Sequence, residues 1–339
     1  MAYAPTPLTF RALRLLNSEE FRSGEELARS LGVSRTSVWR ALDQIDTAGV
    51  TLLRKRGHGY RLATVIDWLD PSAVRRHLGA YREVYELRMV DVVESTNTTL
   101  LEQAVAGAAA GLMLAAELQT RGRGRRGRVW HAGLGGALTF SVLWRFEQGA
   151  GSLAGLGLAV GVALVRALCS LGVQDATLKW PNDLLIRHQK LAGTLVEIQG
   201  DVLGPSLAVV GVGINFRLDT STRERVDQAA TDLVSAGISC DRNSVLGRVL
   251  WHLAEVLNAF RDQGFGPLRD EWESYHVYAG RAVVVRLPDG EREEGTVAGV
   301  DDNGALLLQT RAGLRRFHSG EVSLRAAGSD QRRRGASSF

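Results

Sequence analysis

Arg121, Arg123, Arg125, Arg126 and Arg128 share eight residues with Gly122, Gly124 and Gly127 in the stretch Gln119-Thr-Arg-Gly-Arg-Gly-Arg-Arg-Gly-Arg-Val-Trp130. Guanidinium groups packed so closely repel one another, while the glycines let backbone amides approach a bound anion. The pattern predicts a mobile loop, poorly ordered until an anion bridges its arginines, that closes over a phosphate. A second reactive set lies downstream, where Lys190 follows Asp183 by seven residues at the start of the strand-like segment Leu191 to Ile198. Apolar runs flank the loop, Leu112 to Ala116 before it and Ala137 to Trp144 after it, so strands must position it.

Three other readings of the loop are weaker. Gly122-x-Gly124-x-x-Gly127 satisfies the dinucleotide fingerprint in form, but no amphipathic helix follows the third glycine. No Gly-Lys-Ser/Thr follows either, which excludes a phosphate-binding Walker loop. Disordered Arg/Gly tracts that bind nucleic acid lie in polar, low-complexity surroundings, whereas this one sits between apolar segments.

The 339 residues suggest two or three domains with an ample core. The net charge of +4 is local: residues 1–62 carry ten Lys/Arg against six Asp/Glu, and the remainder sums to about zero. A basic N-terminus is where a nucleic-acid contact would put the excess. Cys169 and Cys240 have no metal-ligand spacing and fit a reducing compartment. The run from Leu153 to Val165 ends at Arg166, short of the ~20 residues of a membrane span, and no signal peptide is recognisable. A cytoplasmic protein with no membrane partner is expected.

Residues 1–65 read as a winged helix-turn-helix. Ser23-Gly-Glu-Glu26 forms a capping box for a helix from Glu25 to Leu31, and Gly32-Val-Ser34 turns into a third helix. Ala28, Gly32 and Val38 stand where crossed helices need a small residue, a turn glycine and a buried aliphatic. Arg35, Thr36, Ser37, Trp39 and Arg40 would face DNA, and Thr51 to Leu62 is a hairpin whose Arg54, Lys55 and Arg56 would rest on phosphates. Such modules also mediate protein contacts, but here the basic residues gather on the two elements that touch a duplex. His58 at the wing tip reads as a solvated turn residue.

Residues 66–82 are a short helical linker started by Asp70-Pro71. A layered α+β domain follows over 83–275, with strands at Tyr85 to Val93, Leu112 to Leu118, Ala137 to Trp144, Thr177 to Trp180, Gly193 to Gln199 and Leu207 to Ile214. Its helices are Asn97 to Val105 and the apolar Leu153 to Leu171, expected to be buried. From 276 to 325 the period is two, with turns at Pro288-Asp-Gly290 and Asp302-Asn-Gly304, which predicts a small β-barrel. Residues 326–339 read as a disordered tail.

Four segments in this order, Glu94-Ser-Thr-Asn97, the Gly/Arg loop, Lys179-Trp-Pro-Asn-Asp183 with Lys190-Leu-Ala-Gly193, and Gly211-Val-Gly-Ile-Asn215, resemble the biotin protein ligases. With a winged helix in front and a barrel behind, residues 8–325 resemble the bifunctional members that also repress biotin biosynthesis. The resemblance implies an α+β fold with a class II synthetase-like biotin/lipoate ligase sheet and an SH3-like C-terminal barrel. It implies a two-step reaction: biotin and ATP form biotinyl-5′-adenylate, then a lysine of a biotin carboxyl carrier protein attacks the activated carbonyl.

Lys190, Arg125 and Asp183 are the implied catalytic residues, because a carboxylate meeting an α-phosphate needs cations to neutralise both. Biotin contacts are implied for Ser95, Thr96, Asn97, Gln119, Gly122, Arg123, Arg125, Lys190 and Gly193. Nucleotide contacts are implied for Arg123, Arg125, Arg128, Trp130, Asn182, Asp183, Lys190 and Asn215. Taken alone, Ser95 is an ordinary helix N-cap, Lys190 a surface lysine, Asn215 a strand-end turn residue, and Trp130 either a pocket wall or core. Asp183 and Asn215 could hold Mg²⁺, or Asp183 could accept a proton from the acceptor lysine. Implied partners are the carrier protein, operator DNA and a second copy of the chain, paired once adenylate binds. Two alternatives are a biotin-sensing transcription factor without catalysis and a lipoate or octanoate ligase. Family members can cover adenine with an aromatic after the asparagine, but Leu218 to Thr231 contains none.

Overall fold

A computed structural model describes residues 5–201, 203–226, 228–287, 290–318 and 323–326. The first helices are α1 (Pro7–Arg14), α2 (Gly24–Leu31) and α3 (Arg35–Leu42), followed by the hairpin β1 (Leu52–Lys55) and β2 (Gly59–Leu62). The expected capping box is present: Ser23 Oγ accepts from Glu26 N, and the Glu26 side chain accepts from Ser23 N. Gly32 ends α2 at φ 67°, in the left-handed region that glycine occupies without strain, and Val38 is fully buried. Arg35, Thr36, Trp39 and Arg40 are exposed along one side of α3.

A short helix α4 (Pro71–Arg75), capped by Asp70, leads into the central domain. Its mixed sheet is ordered β3-β4-β5-β9-β8-β7-β6. The strands are β3 (Glu86–Val93), β4 (Leu112–Gln119), β5 (Ala137–Phe146), β6 (Ala176–Lys179), β7 (Asp183–Ile186), β8 (Gln189–Gly200) and β9 (Ser206–Asn215). Helix α5 (Thr96–Val105) packs on the β4, β5 and β9 side. Helix α6 (Leu156–Ser170) shares the main core with α8 (Arg242–Gln263). The helical stretch Ala150–Ser170 is longer than the apolar run suggested and could cross a membrane by length and composition, but 67% of its apolar window is buried. Its hydrophobic surface is accounted for by the sheet and α8.

The strands appear where alternation or apolar runs announced them, with ends shifted by a residue or a few. Four elements of the central domain were not foreseen: β7, α8 and the short helices α7 (Thr220–Arg225) and α9 (Arg269–Tyr275). β7 lies in Asp183–Ile186, where no strand was expected, and α8 is the longest helix of the domain. A signal for α8 existed: Asp241 caps it by accepting from Ser244 N at 2.9 Å, and Val245, Leu246, Val249, Leu250 and Leu253 repeat at helical spacing.

The C-terminal sheet, ordered β13-β12-β11-β10-β14, comprises β10 (Ala282–Arg286), β11 (Arg292–Val300), β12 (Leu306–Thr310), β13 (Gly313–Phe317) and β14 (Ser323–Ala326). Asp302-Asn-Gly304 lies between β11 and β12, as its composition indicates. Pro288 and Asp289 of the other expected turn, and the tail from residue 327, lie outside the described residues.

The domains are joined by polar bonds inside the core. Arg242, at the start of α8 and fully buried, donates to Glu117 Oε2 of β4 at 2.6 Å, to Asp67 O of the linker at 2.8 Å and to Ala137 O of β5 at 2.9 Å. Glu117 Oε1 accepts from Leu69 N at 2.7 Å, so one ion pair fixes the linker against two strands. The winged helix also packs directly on the central domain, where Leu118 and Leu134 join its apolar cluster and Leu134 N donates to Ala48 O at 2.7 Å.

At the other junction, Trp180 Nε1 donates to Gly304 O at 3.1 Å, and His276 stacks on Trp272 with ring centroids 4.6 Å apart. Burial pushes the His276 imidazole down to about 4. The unfolded chain, titrating near 6.5, therefore takes up a proton first as the pH falls. Stability is complete above about pH 6.5, declines from there to about pH 4, and levels off below, for a loss of about 3 kcal/mol from this group. Melting temperatures of wild type and His276→Phe between pH 7.5 and 4.5 would test it: the variant's profile should be flatter. Equal slopes would remove His276 as the cause.

Candidate active site

One cavity of about 440 Å³ gathers most of the residues singled out above. Ser95, Thr96, Asn97 and Gln119 stand at one end; Lys190, Asp183, Asn182, Arg125 and Trp130 line it, with Arg123, Arg128, Gly193 and Asn215. Gly122 does not line it; a Cβ there would lie 2.5 Å from Trp130 O, so this glycine permits the loop to close on itself.

The polar end is built on the start of α5. Ser95 caps the helix by accepting from Thr98 N at 3.4 Å. Thr96 donates through N and Oγ1 to Gln119 Oε1, at 2.7 and 3.2 Å, and Thr96 Oγ1 accepts from Ser141 Oγ at 2.7 Å. Asn97 differs from expectation. Its Oδ1 accepts from Ser141 Oγ at 2.6 Å, and its Nδ2 donates to Leu195 O and to Glu197 Oε2, at 3.1 and 2.8 Å. The amide is thus engaged by the fold, and a side chain at Gly211 would collide with it. Asn97 shapes the wall rather than offering a ready ligand contact.

At the centre, Lys190 Nζ lies 2.6 Å from Asp183 Oδ1 and 5.7 Å from the Trp130 ring centroid. Both partners of the ion pair are mostly buried, at 17% and 15% side-chain exposure, which shields their attraction from water. The lysine backbone is fixed at both ends: Lys190 N donates to Ala229 O at 2.9 Å and Thr231 N donates to Lys190 O at 3.0 Å. Asn215 Nδ2 donates to Lys190 O and Thr231 O, at 3.3 and 3.0 Å, so this asparagine buttresses the lysine strand. Trp130 packs against the glycines of the sheet; a Cβ on Gly213 would meet its ring at 2.5 Å, and one on Gly193 would lie 3.2 Å from Lys190 Nζ.

The Gly/Arg loop is a small hairpin rather than the disordered segment its charge suggested. Trp130 N donates to Gly122 O and Gly124 N to Arg128 O, each at 2.8 Å, and the turn places Arg126 and Gly127 at φ 58° and 69°. The repulsion among its arginines is offset because protein acceptors stand in for an anion. Arg125 Nη1 donates to Asn182 Oδ1 at 3.2 Å, and Arg123 pairs with Glu197 at 2.7 Å. Arg125 Nη2 is buried without a protein partner, as is Trp130 Nε1, and burial lowers the Arg125 guanidinium from its ordinary value. An orphaned buried donor in the cavity that Lys190 also lines is a site for an incoming acceptor oxygen.

Several lining residues had no sequence signal. Arg225 comes from the end of α7, Val226, Gln228 and Ala230 from the segment after it, and Leu324 from the C-terminal sheet. Only folding brings them to the cavity. Among the described residues no group of three or more His, Cys, Asp or Glu could hold a metal ion, and Asp183 is the carboxylate among the described lining residues. The donor set does not make a metal cage by itself; Mg²⁺ would have to arrive on a triphosphate, which usually supplies several of its ligands.

In the winged helix-turn-helix, Arg54 has partners within the protein. Its Nη1 donates to Asp46 Oδ2 at 2.9 Å and its Nη2 to Leu42 O at 3.0 Å, so it braces the wing against the end of α3. Lys55 and Arg56 are exposed at the wing tip.

A mixed sheet carrying this cavity, preceded by a helix-turn-helix and followed by a small β-domain, is the architecture of a protein ligase of the biotin/lipoate class. The family described as "Biotin/lipoate A/B protein ligase family" matches residues 89–215, "Biotin protein ligase C terminal domain" matches 278–325, and "HTH domain" matches 9–61. The chain is 34% identical to the bifunctional ligase/repressor BirA of Salmonella typhimurium over 95% of its own length and 98% of that protein. It is 36% identical to the biotin–[acetyl-CoA-carboxylase] ligase of Mycobacterium tuberculosis over 71% of this chain and 90% of that one. Among solved structures, the Aquifex aeolicus biotin protein ligase in complex with biotin and ATP superposes with a TM-score of 0.59 at 32% identity, covering 71% of this chain and 97% of that chain. The chain belongs to the biotin protein ligase family, in its bifunctional ligase/repressor form.

Proposed function

We propose that this chain is an ATP-dependent biotin protein ligase that also acts as a biotin-responsive transcriptional repressor. The observation that carries the ligase reading is the placement of Lys190 Nζ and the unpartnered Arg125 Nη2 in one cavity with Ser95, Thr96 and Gln119. In this reading biotin's ureido ring lies at the Ser95–Gln119 end and its carboxylate beside Lys190. The carboxylate oxygen attacks the α-phosphorus of ATP and pyrophosphate leaves. Lys190 and Arg125 hold the two anionic reactants together and stabilise the charge that develops on the phosphoryl oxygens. Arg128 lies further along the nucleotide, and Mg²⁺ bound to the phosphates would find Asp183 nearest.

In the second step the amine of a carrier-protein lysine attacks the acyl carbon of the adenylate and AMP leaves. In this reading Asp183 accepts the proton that the amine loses, once the Lys190 ammonium has turned from it to the ligand. Biotin-dependent exchange of labelled pyrophosphate into ATP is the test. A biotin sensor without catalysis would give no exchange, and a lipoate ligase would ignore biotin.

Arg125 also shields the adenylate from water. Arg125→Gly should release biotinyl-adenylate faster by about tenfold or more, since it removes a charge-assisted contact of ~1.5–3 kcal/mol. Release followed by chase with unlabelled biotin and ATP reads this directly, and an unchanged rate would show that Arg125 does not close the site.

For repression, the exposed residues of α3 would enter the major groove while Lys55 and Arg56 rest on phosphates. We infer a cytoplasmic location and an adenylate-favoured homodimer formed through the central sheet. Support comes from the outer edge of β8 from residue 195 to 200, which pairs with β9 on one side and has no ladder partner on the other among the described residues. Sedimentation with and without biotin and ATP tests the dimer, with an unchanged monomer population counting against it.

A further inference from the structure

Behind the polar end of the cavity lies a hydroxyl that takes no part in its lining. Ser141 of β5 is fully buried, in register with Leu114 of β4 on one side and Gly211 of β9 on the other. Its Oγ donates to Asn97 Oδ1 at 2.6 Å and to Thr96 Oγ1 at 2.7 Å. A hydroxyl carries one hydrogen, so Ser141 cannot make both bonds at the same moment. The Asn97 amide is held one way round, because its Nδ2 donates to Leu195 O and Glu197 Oε2 of β8, and its Oδ1 can therefore only accept. A side chain at Gly211 would collide with that oxygen, so the amide is seated against bare backbone.

Two arrangements of the hydrogens follow. With the Ser141 hydrogen on Thr96, the Thr96 hydroxyl donates to Gln119 Oε1 at 3.2 Å, and this oxygen, which also accepts from Thr96 N at 2.7 Å, has no lone pair left. With the Ser141 hydrogen on Asn97, Thr96 supplies the hydrogen for its contact with Ser141. Thr96 Oγ1 and Gln119 Oε1, both on residues that line the cavity, then each keep a lone pair for a ligand. The contacts of 2.6 and 2.7 Å, against 3.2 Å for the bond to Gln119, favour the second arrangement, since hydroxyl hydrogen bonds are strongest near the shorter distances.

We propose that Ser141 is a positioning residue that sets the direction of the Thr96 hydroxyl, so that Thr96 and Gln119 face the cavity as acceptors for ring N–H groups. The identity of the ligand, a cyclic urea, rests on the ligase reading; the network rests on hydrogen-bond geometry. The urea brings N–H donors, and acceptors already turned toward them need not break a bond within the protein when it binds. Ser141 touches no ligand in this assignment and acts through Thr96.

Calorimetric titration with biotin, without nucleotide, tests it. Ser141→Ala leaves Asn97 Oδ1 without its donor and frees Thr96 to donate to Gln119, so the dissociation constant should rise about tenfold. Ser141→Cys keeps the volume with a weak donor and should shift affinity in the same direction, which serves if the alanine variant does not fold. Carbamate analogues of biotin, in which one ring N–H or the other is replaced by oxygen, separate direction from loosening. Wild type should bind at least one of them about a hundredfold worse than biotin, and the variants should narrow that ratio about tenfold, because an acceptor that has turned away no longer distinguishes the two ligands. In pyrophosphate exchange the KM for biotin should rise with the dissociation constant, while kcat and the KM for ATP stay within about twofold.

Equal affinity for biotin in the wild type and both variants would overturn the proposal. So would an unchanged ratio of carbamate to biotin affinity, since a loosened fold weakens both ligands alike. Biotin binding by the wild type without exchange would sink the ligase reading and leave the titrations to decide the role of Ser141, and no binding by the wild type would overturn both.

Discussion

Replacing Lys190 with glutamine is expected to slow biotin-dependent pyrophosphate exchange by about a hundredfold, and more if the lysine neutralises both reactants at once. One preorganised cation aimed at a developing charge is commonly worth ~3 kcal/mol in a sheltered site, which sets that magnitude. The geometry gives Lys190 little freedom. Its backbone is hydrogen-bonded on both sides to residues 229 and 231, its ammonium is 2.6 Å from Asp183, and Trp130 covers it. Glutamine fills similar space but brings no charge, so biotin binding should fall less than the rate does. Arginine keeps the charge, but its planar fork does not reproduce the compact ammonium that lies 2.6 Å from Asp183. Exchange by the glutamine variant at the wild-type rate would remove Lys190 from the reaction centre.

Arg242→Met is expected to cost about 3–5 kcal/mol of stability, lowering the melting temperature by about 5–10 °C. The cost comes from what remains rather than from what is lost. Glu117, 4% exposed, would keep a buried charge with Leu69 N as its remaining donor, and the carbonyls of Asp67 and Ala137 would lose theirs. Glu117→Leu combined with Arg242→Met should recover a large part of the loss, because two apolar residues of similar volume remove the unpaired charge. The double variant separates this account from simple cavity formation, which would make the two changes additive. Because the pair ties the 67–70 linker to β4 and β5, the single variant should also loosen the seating of the winged helix, readable as faster proteolysis between residues 63 and 70.

The local elements were legible where a residue type dictates its own surroundings. Ser23 and Glu26 could only cap a helix in that spacing, Gly32 took the left-handed turn, and Asp70-Pro71 started α4. The four motifs likewise placed Lys190, Asp183, Ser95, Gln119 and the arginine loop together before any coordinates, because each lies at the end of a strand or the start of a helix in the central sheet. The partners that these side chains meet in the fold were not legible. Asn97 and Arg54 carry suitable chemistry, but what a polar group does depends on which partner reaches it first. Ser141 and Glu197 reach Asn97 from β5 and β8, and Asp46 reaches Arg54 from the turn after α3.

The order of apolar runs, caps and turn residues by itself determined three folded regions, the basic face of the first, and the set of cations that can serve an anionic reaction. Tertiary structure decided which of those cations is left unpaired. Charge repulsion along the chain predicts an open loop, because sequence neighbours are the only interactions visible there. Folding brings Glu197 from β8 and Asn182 from the turn before β7, each more than fifty residues away, satisfies Arg123 and part of Arg125, and leaves one buried donor in the cavity that Lys190 lines.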